Sequence, residues 1–337
     1  MWALCRRGVL RLAPVIFLLA LVVLLSSAQP AYADNIGGAG DISAVPTSSN
    51  RADVATAALL GQNLIGLVHT YGDNQYECGE YPNFLGAYDK SWGKYKFKTR
   101  PAPGNHEYIA NYVNCLPGTT GTMISETLLD TGGAGYYRYF QGRTPGHPGY
   151  YSYNYQGWHF VVLNTTCTND GGGVVPGGCG GPMLDWLKLD LAANRAARCT
   201  VVYGHHPYIA SAAPTTGNRS LSVIWPTLVH ENVDLYIAGH NHAYERLKPM
   251  RTKGNVDADW GPNDGDDGLA GIPQIVVGTG GRSLLPFTSV HPNSAFRLSG
   301  HYGIFKIVPD YPSAGQWLQA FKGTDTRTYD RVPFRCH

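Results

Sequence analysis

Short apolar runs recur along this chain, and most end in a glycine followed by a polar residue. Leu64–Tyr71 ends at Gly72-Asp73, Thr200–Tyr203 at Gly204-His205, and Asp234–Ala238 at Gly239-His240. Ile275–Val277 ends at Gly278-Thr279-Gly280, and a weaker Gly-rich run, Ile36–Gly40, leads into Asp41. Such runs predict buried strands whose C-terminal ends turn sharply. Helical patterns fall between them, over Ala52–Gln62, Pro182–Asn194 and Val223–His230. Tyr150–Tyr155 and Trp158–Asn164 flank Gln156-Gly157 and predict a β-hairpin, and Gly303–Val308 with Gln316–Phe321 predicts a closing one. Strands alternating with helices place the chain in the α/β class, with added antiparallel strands. No long linker, charge block or repeat divides it, so a single domain over 34–337 is expected.

Composition agrees with a folded, loop-rich protein. Its 337 residues are 43% hydrophobic, enough for a sizeable core. The 42 Gly and 22 Pro mark many turns, while 22 Tyr and 7 Trp argue against disorder. The formal charge of +2 owes much to Arg6, Arg7 and Arg11; beyond residue 33, 23 basic residues face 24 acidic ones. A near-neutral chain without a Lys/Arg cluster has no electrostatic reason to hold a nucleic-acid polymer or an anionic membrane.

The start reads as an export signal over residues 1–33. Three arginines precede an apolar run, Leu12–Leu25, which breaks at Ser26–Pro30 before Ala31-Tyr32-Ala33, an A-x-A cleavage pattern. The run is shorter than the roughly 20 residues a membrane helix needs, so no stable insertion is expected after cleavage. Arg6-Arg7 also resembles a twin-arginine signal, and both export routes stay open. Six cysteines remain beyond the signal: Cys78, Cys115, Cys167, Cys179, Cys199 and Cys336. An even number in an exported chain suggests disulfides. The expected pairs are Cys78–Cys115, Cys167–Cys179 and Cys199–Cys336; a zinc cluster is disfavoured because no C-x-x-C pair occurs.

The polar residues at the strand ends carry the chemistry. In open α/β sheets ligands bind beyond the carboxyl ends of the strands. Those ends here bear Asp41, Asp73, Asn105, His205, His240 and His242. Carboxylate, imidazole and amide oxygen together suit hard or borderline metal ions. They are too many for one tetrahedral ion, and a carboxylate bridging two ions fits better, an arrangement used for phosphoryl displacement. Taken singly the pieces are weaker: Gly72-Asp73 alone reads as a turn more readily than as a ligand.

The order of these pieces resembles the calcineurin-like metallophosphoesterases, and more closely the purple acid phosphatases. Gly40-Asp41, Gly72-Asp73-Asn74-Gln75-Tyr76, Gly104-Asn105-His106-Glu107, Val202-Tyr203-Gly204-His205 and Gly239-His240-Asn241-His242 match their motifs in sequence. The resemblance implies an α/β fold of two packed mixed β-sheets flanked by helices. It implies that Asp41, Tyr76 and His242 hold Fe(III), and that Asn105, His205 and His240 hold a second ion, Zn, Mn or Fe(II). Asp73 would bridge the two. His106 would be catalytic, touching the phosphate or protonating the leaving group, while a hydroxide on the metal pair attacks phosphorus. The chain departs from the pattern at Ser43, where the wider family has a ligand histidine. It departs again at Pro214-Thr215, where a further substrate histidine often stands, which makes His206 the candidate for that contact.

The expectation is an exported acid phosphatase acting on small phosphate esters, its oligomeric state open. The alternatives are a phosphodiesterase on nucleotides or glycerophosphodiesters, or a non-catalytic secreted binder of metal or another ligand. Other features read blandly. Asp257–Gly268 is a polar loop, Gly278–Gly281 a rim turn, and the Tyr-rich segment Tyr136–Tyr155 hairpin core and rim. Asn164 and Asn218 head sequons that matter only in a glycosylating host. His69 and His159 are expected in the core.

Overall fold

The strands are β1 (Asn35–Ala39), β2 (Ser43–Ala44), β3 (Ile65–Tyr71), β4 (Gln75–Tyr76), β5 (Thr99–Ala102), β6 (Tyr151–Tyr155), β7 (Trp158–Val162), β8 (Thr200–Tyr203), β9 (Leu235–Ala238), β10 (Tyr244–Met250), β11 (Ile272–Val277), β12 (Ser294–Leu298), β13 (Gly303–Pro309), β14 (Gln316–Gly323) and β15 (Thr328–Arg335). One sheet runs β15-β14-β13-β1-β3-β5 and the other β12-β10-β11-β9-β8-β7-β6, with β2 and β4 forming a small ladder beside them. Each large sheet has a parallel centre with antiparallel strands added, β1-β3-β5 in the first and β11-β9-β8-β7 in the second. The computed structural model describes residues 34–44, 51–108, 132–167, 175–212, 217, 219–251, 271–287 and 289–336. The expected export signal, Cys115, Pro214, Thr215, Asn218 and the polar loop around 257–268 lie outside them.

Side chains alternate in the second sheet as buried strands require. Phe160, Val162, Val201, Tyr203, Leu235, Ile237, Ile275 and Val277 share a core with Ile36, Tyr71, Phe305, Ile307 and Phe321 of the first sheet. Val161, Val202, Tyr236, Ala238 and Val276 face the other way, onto α2 (Pro182–Ala193) and α3 (Trp225–His230). Helix α2 opens on a proline, which has the right φ and no amide proton to waste in a first turn. It buries Leu184, Leu187 and Leu191 along one stripe. On the first sheet, α1 (Ala52–Gln62) is rich in Ala and Leu, strong helix formers, and packs on β3 and β13.

The β6–β7 hairpin turns at Gln156-Gly157, both at positive φ, the geometry that matches strand twist. Strands β5, β10, β12 and β15 were not marked by apolar runs. Strand β10 interleaves Glu245, Arg246 and Lys248 with its apolar residues, and the first two are satisfied by partners distant in the sequence. Glu245 accepts from Ser211 N–H and Oγ, and Arg246 pairs with Asp330 of β15. Two disulfides form as expected, Cys167–Cys179 and Cys199–Cys336. Cys78 is also disulfide-bonded.

His69 and His159 are core residues. His69 stacks on Tyr203 and meets the Tyr153 hydroxyl at 2.6 Å; His159 lies between Asn154 and Asp190. Tyr136 and Tyr139 are buried as well. Asn164 is buried, with its amide donating to Tyr108 Oη and the Pro148 carbonyl, so the folded chain offers no sequon there. Among the described residues no helix is long and apolar enough to cross a membrane.

Candidate metal centre

The parallel strands of both sheets end at one place, and their last turns bring the polar residues together. Asp41 follows β1, Asp73 follows β3, Asn105 follows β5, His205 follows β8, and His240 and His242 follow β9. Asp41, Asp73 and His240 adopt positive φ (58°, 47° and 68°), a sparsely used conformation that reverses the chain within one residue. Backbone hydrogen bonds stitch the sheets together here. Gly40 N–H donates to Val277 O at 2.9 Å, and His240 N–H to the Asp41 carboxylate at 2.8 Å. Gly104 is obligatory by close approach: a Cβ there would stand 2.2 Å from Asp73 Oδ1. Gly278 is similar, with Asp41 Oδ2 at 2.7 Å, which makes the Gly278–Gly281 run a support for Asp41.

The donor atoms fall into two groups that share Asp73. In the first, the Tyr76 hydroxyl lies 2.5 Å from Asp41 Oδ1, 2.7 Å from Asp73 Oδ2 and 3.2 Å from His242 Nε2. In the second, His205 Nε2 lies 3.2 Å from Asp73 Oδ2, 3.0 Å from Asn105 Oδ1 and 3.1 Å from His240 Nδ1. The other nitrogens of His205 and His242 face carbonyls, Tyr71 O at 2.9 Å and Ser283 O at 2.8 Å. A carbonyl only accepts, so each ring carries its proton there and turns a lone pair inward.

These groups cannot satisfy themselves. Tyr76 has one proton for three acceptors, and His205 Nε2 faces an amide oxygen, a carboxylate and another imidazole. Lone pairs directed at lone pairs in a buried site call for cations. The carboxylates also make the field of the site negative, so that it draws a proton or a metal cation alike. Burial opposes charge on His205, yet Asp73 overrides it and raises its pKa to about 9. Burial and the carboxylates of Asp41 and Asp73 hold the Tyr76 phenol well above its ordinary range. Phenolate, carboxylate and imidazole in the first group suit a hard ion; amide and two imidazoles in the second suit a borderline one.

His106 stands outside both groups. Its Nε2 is 4.0 Å from Asp73 Oδ2, its Nδ1 meets Glu77 O at 2.6 Å, and its backbone N–H donates to Asp73 Oδ1. His206 is buried against the second group, its ring 4.5 Å from that of His240. Burial, and then the neighbouring His205, lower its pKa to about 3. Ser43, which stands where the wider family has a ligand histidine, turns away to Asp53 and Ser91. Cys199, Asp234 and Cys336 also cluster, but both cysteines are disulfide-bonded.

Two further residues, Glu107 and Thr165, donate nothing to either group but hold the turns that carry them. Glu107 accepts from the backbone N–H groups of Gly104, Asn74 and Gln75 at 2.6, 2.7 and 3.2 Å, clamping the Asn105 turn to the Asp73 turn. Burial, then Asp73, raise its pKa to about 8. Its place in Gly104-Asn105-His106-Glu107 was the available signal. Thr165 Oγ1 accepts from His205 N–H and His206 N–H at 3.0 and 2.8 Å, and nothing local in the sequence marks it.

A family model described as calcineurin-like phosphoesterase matches residues 57–244. The uncharacterised protein Rv2577 of Mycobacterium tuberculosis is 31% identical over 198 residues, 54% of this chain and 35% of that protein. Purple acid phosphatase 18 of Arabidopsis thaliana is 28% identical over 136 residues, 39% of this chain and 26% of that protein. The chain thus spans about a third or less of the length of these relatives. A purple acid phosphatase from yellow lupin seeds shares the fold, with a TM-score of 0.63 at 19% identity over 90% of this chain and 53% of that one.

Proposed function

The chain belongs to the calcineurin-like phosphoesterase family, and from that premise we propose that it is an exported, dinuclear-metal hydrolase of small phosphate esters, an acid phosphatase of the purple type. The observation that carries this reading is the division of the donors into two groups with Asp73 common to both. Asp41, Tyr76 and His242 would hold Fe(III), and Asn105, His205 and His240 a Zn, Mn or Fe(II) ion. A metal pair bound there would supply Lewis acidity toward the phosphoryl oxygens and an activated water-derived nucleophile at neutral pH.

The chain's own residues do the rest. His106 Nδ1 is pinned by the Glu77 carbonyl, so Nε2 is the atom that gives and takes a proton. It faces the shared carboxylate from the solvent side, with 22% of the side chain exposed, and donates to the leaving oxygen. His206, held on Thr165, is a further contact for the phosphate. Glu107 fixes the Asp73 and Asn105 turns relative to each other, which sets the distance between the two donor groups. The catalytic domain takes up residues 34–337, following an export signal over 1–33. The two described disulfides fit an oxidising compartment.

Elemental analysis of the purified mature protein, beside turnover of chromogenic mono- and diesters, tests this reading. Two metal equivalents and faster monoester turnover are expected. Diester turnover alone would make it a phosphodiesterase, and two metals without turnover would leave a binder.

A further inference from the structure

The Tyr76-Glu77 step carries two groups outside the donor sets. The Glu77 carbonyl meets His106, and its carboxylate pairs with the Arg282 guanidinium. Both flank the Tyr76 ring, His106 at 4.2 Å between ring centroids and Arg282 Cζ at 5.1 Å from the ring centre. Arg282 belongs to a segment locked to the first donor group. Its N–H donates to Asp41 O at 2.9 Å, Ser283 O meets His242 Nδ1 at 2.8 Å, and Leu285 N–H donates to His242 O at 2.9 Å. The backbone is thus fixed while the side chain reaches the rim. Arg282 is 31% exposed and Glu77 25%, so the guanidinium can exchange partners without leaving a buried charge behind.

We propose that Arg282 reads the second negative charge of a phosphate monoester, with Glu77 as the partner it leaves when substrate binds. This rests on the phosphate-ester reading above and narrows its substrate class. A monoester, with a second pKa near 6, carries about two charges near neutral pH. A diester carries one, and has an ester group where the monoester has a free oxygen. A guanidinium fork grips two phosphate oxygens at once, which a diester satisfies less well. Until substrate arrives, Glu77 competes with phosphate for the guanidinium and holds it at the rim. The cost of separating the Arg282–Glu77 pair is small at this exposure.

The test uses the metal-loaded full chain and its R282A, R282K and E77Q variants. The readouts are kcat/KM on an aryl phosphate monoester and a bis-aryl diester, calorimetric affinity for inorganic phosphate, and metal content. R282A is expected to keep both metals and to lower the monoester-to-diester ratio and phosphate affinity by roughly 10- to 100-fold, the worth of a charge-assisted hydrogen bond. R282K should fall between, since an ammonium keeps the charge but not the fork. E77Q should raise phosphate affinity. Equal losses on both esters, unchanged phosphate affinity in R282A, or metal loss in both arginine variants would overturn the proposal. If the native protein turns over neither ester, the phosphate-ester reading is what fails, and the phosphate titration judges Arg282 independently.

Discussion

Asp73→Asn isolates the charge that the two donor groups share. The substitution conserves volume in a site where Asp73 is 1% exposed, so the packing is kept. An amide oxygen can still accept the His106 N–H that Asp73 Oδ1 holds at 2.8 Å. What disappears is one unit of negative charge shared by the two donor groups. At an effective dielectric of about 20, a unit charge about 4 Å away is worth about 4 kcal/mol, near a thousandfold in affinity. Ions of charge two or three would lose more, offset in part because a neutral side chain is easier to bury. The assay is metal content after gel filtration against a chelator, with circular dichroism and turnover on the same sample. A folded variant holding less than about one metal equivalent is expected, with turnover lost in parallel, as the Coulomb loss demands. Two tightly held equivalents with native turnover would refute a shared carboxylate at this position.

Three further perturbations probe neighbouring claims. His106→Ala should keep both metals and lower kcat by roughly 100- to 10,000-fold, the usual share of general acid catalysis; loss of metal would show it to be a ligand. Tyr76→Phe should bleach the violet-to-pink charge-transfer colour expected of a ferric phenolate, and an iron-free, colourless native protein would rule the ferric reading out. His69, pushed down to about 3 by burial and then by Arg100, titrates near 6.5 once unfolded. Below pH 6.5 the unfolded chain therefore binds the extra proton, so stability is complete above pH 6.5 and is lost as pH falls toward 3. His69→Phe should lose about 1 kcal/mol at pH 7 through the Tyr153 hydrogen bond, yet flatten the urea-measured acid slope by up to about 1.4 kcal/mol per pH unit. An unchanged slope would mean that His69 is not held neutral by the core.

The sequence by itself determined what depends on neighbours along the chain. Apolar runs bounded by Gly-polar pairs marked β3, β8 and β9 to within a residue, because burial on both faces leaves a continuous apolar signature. Ala52–Gln62 and the Gln156-Gly157 turn were legible for the same local reason. The order of the strand-end motifs was enough to name every donor candidate. Strand β10 was not legible, since Glu245 and Arg246 are tolerable there only beside Ser211 and Asp330, brought in from elsewhere.

Only the tertiary structure decided which donors meet. The Asp41 carboxylate touches the N–H of His240, 199 positions away, and Asn105 meets His205 across 100. Those pairings follow from strand order in two sheets and from three residues held at positive φ, neither of which is encoded by local spacing. The same holds for Glu107 bridging two turns, Thr165 under His205, and the Arg282–Glu77 pair at the rim. A hydrogen bond or ion pair reaches only a few ångströms. Its partners are therefore set by where the fold returns the backbone, and local sequence reveals them only when both ends lie in one motif.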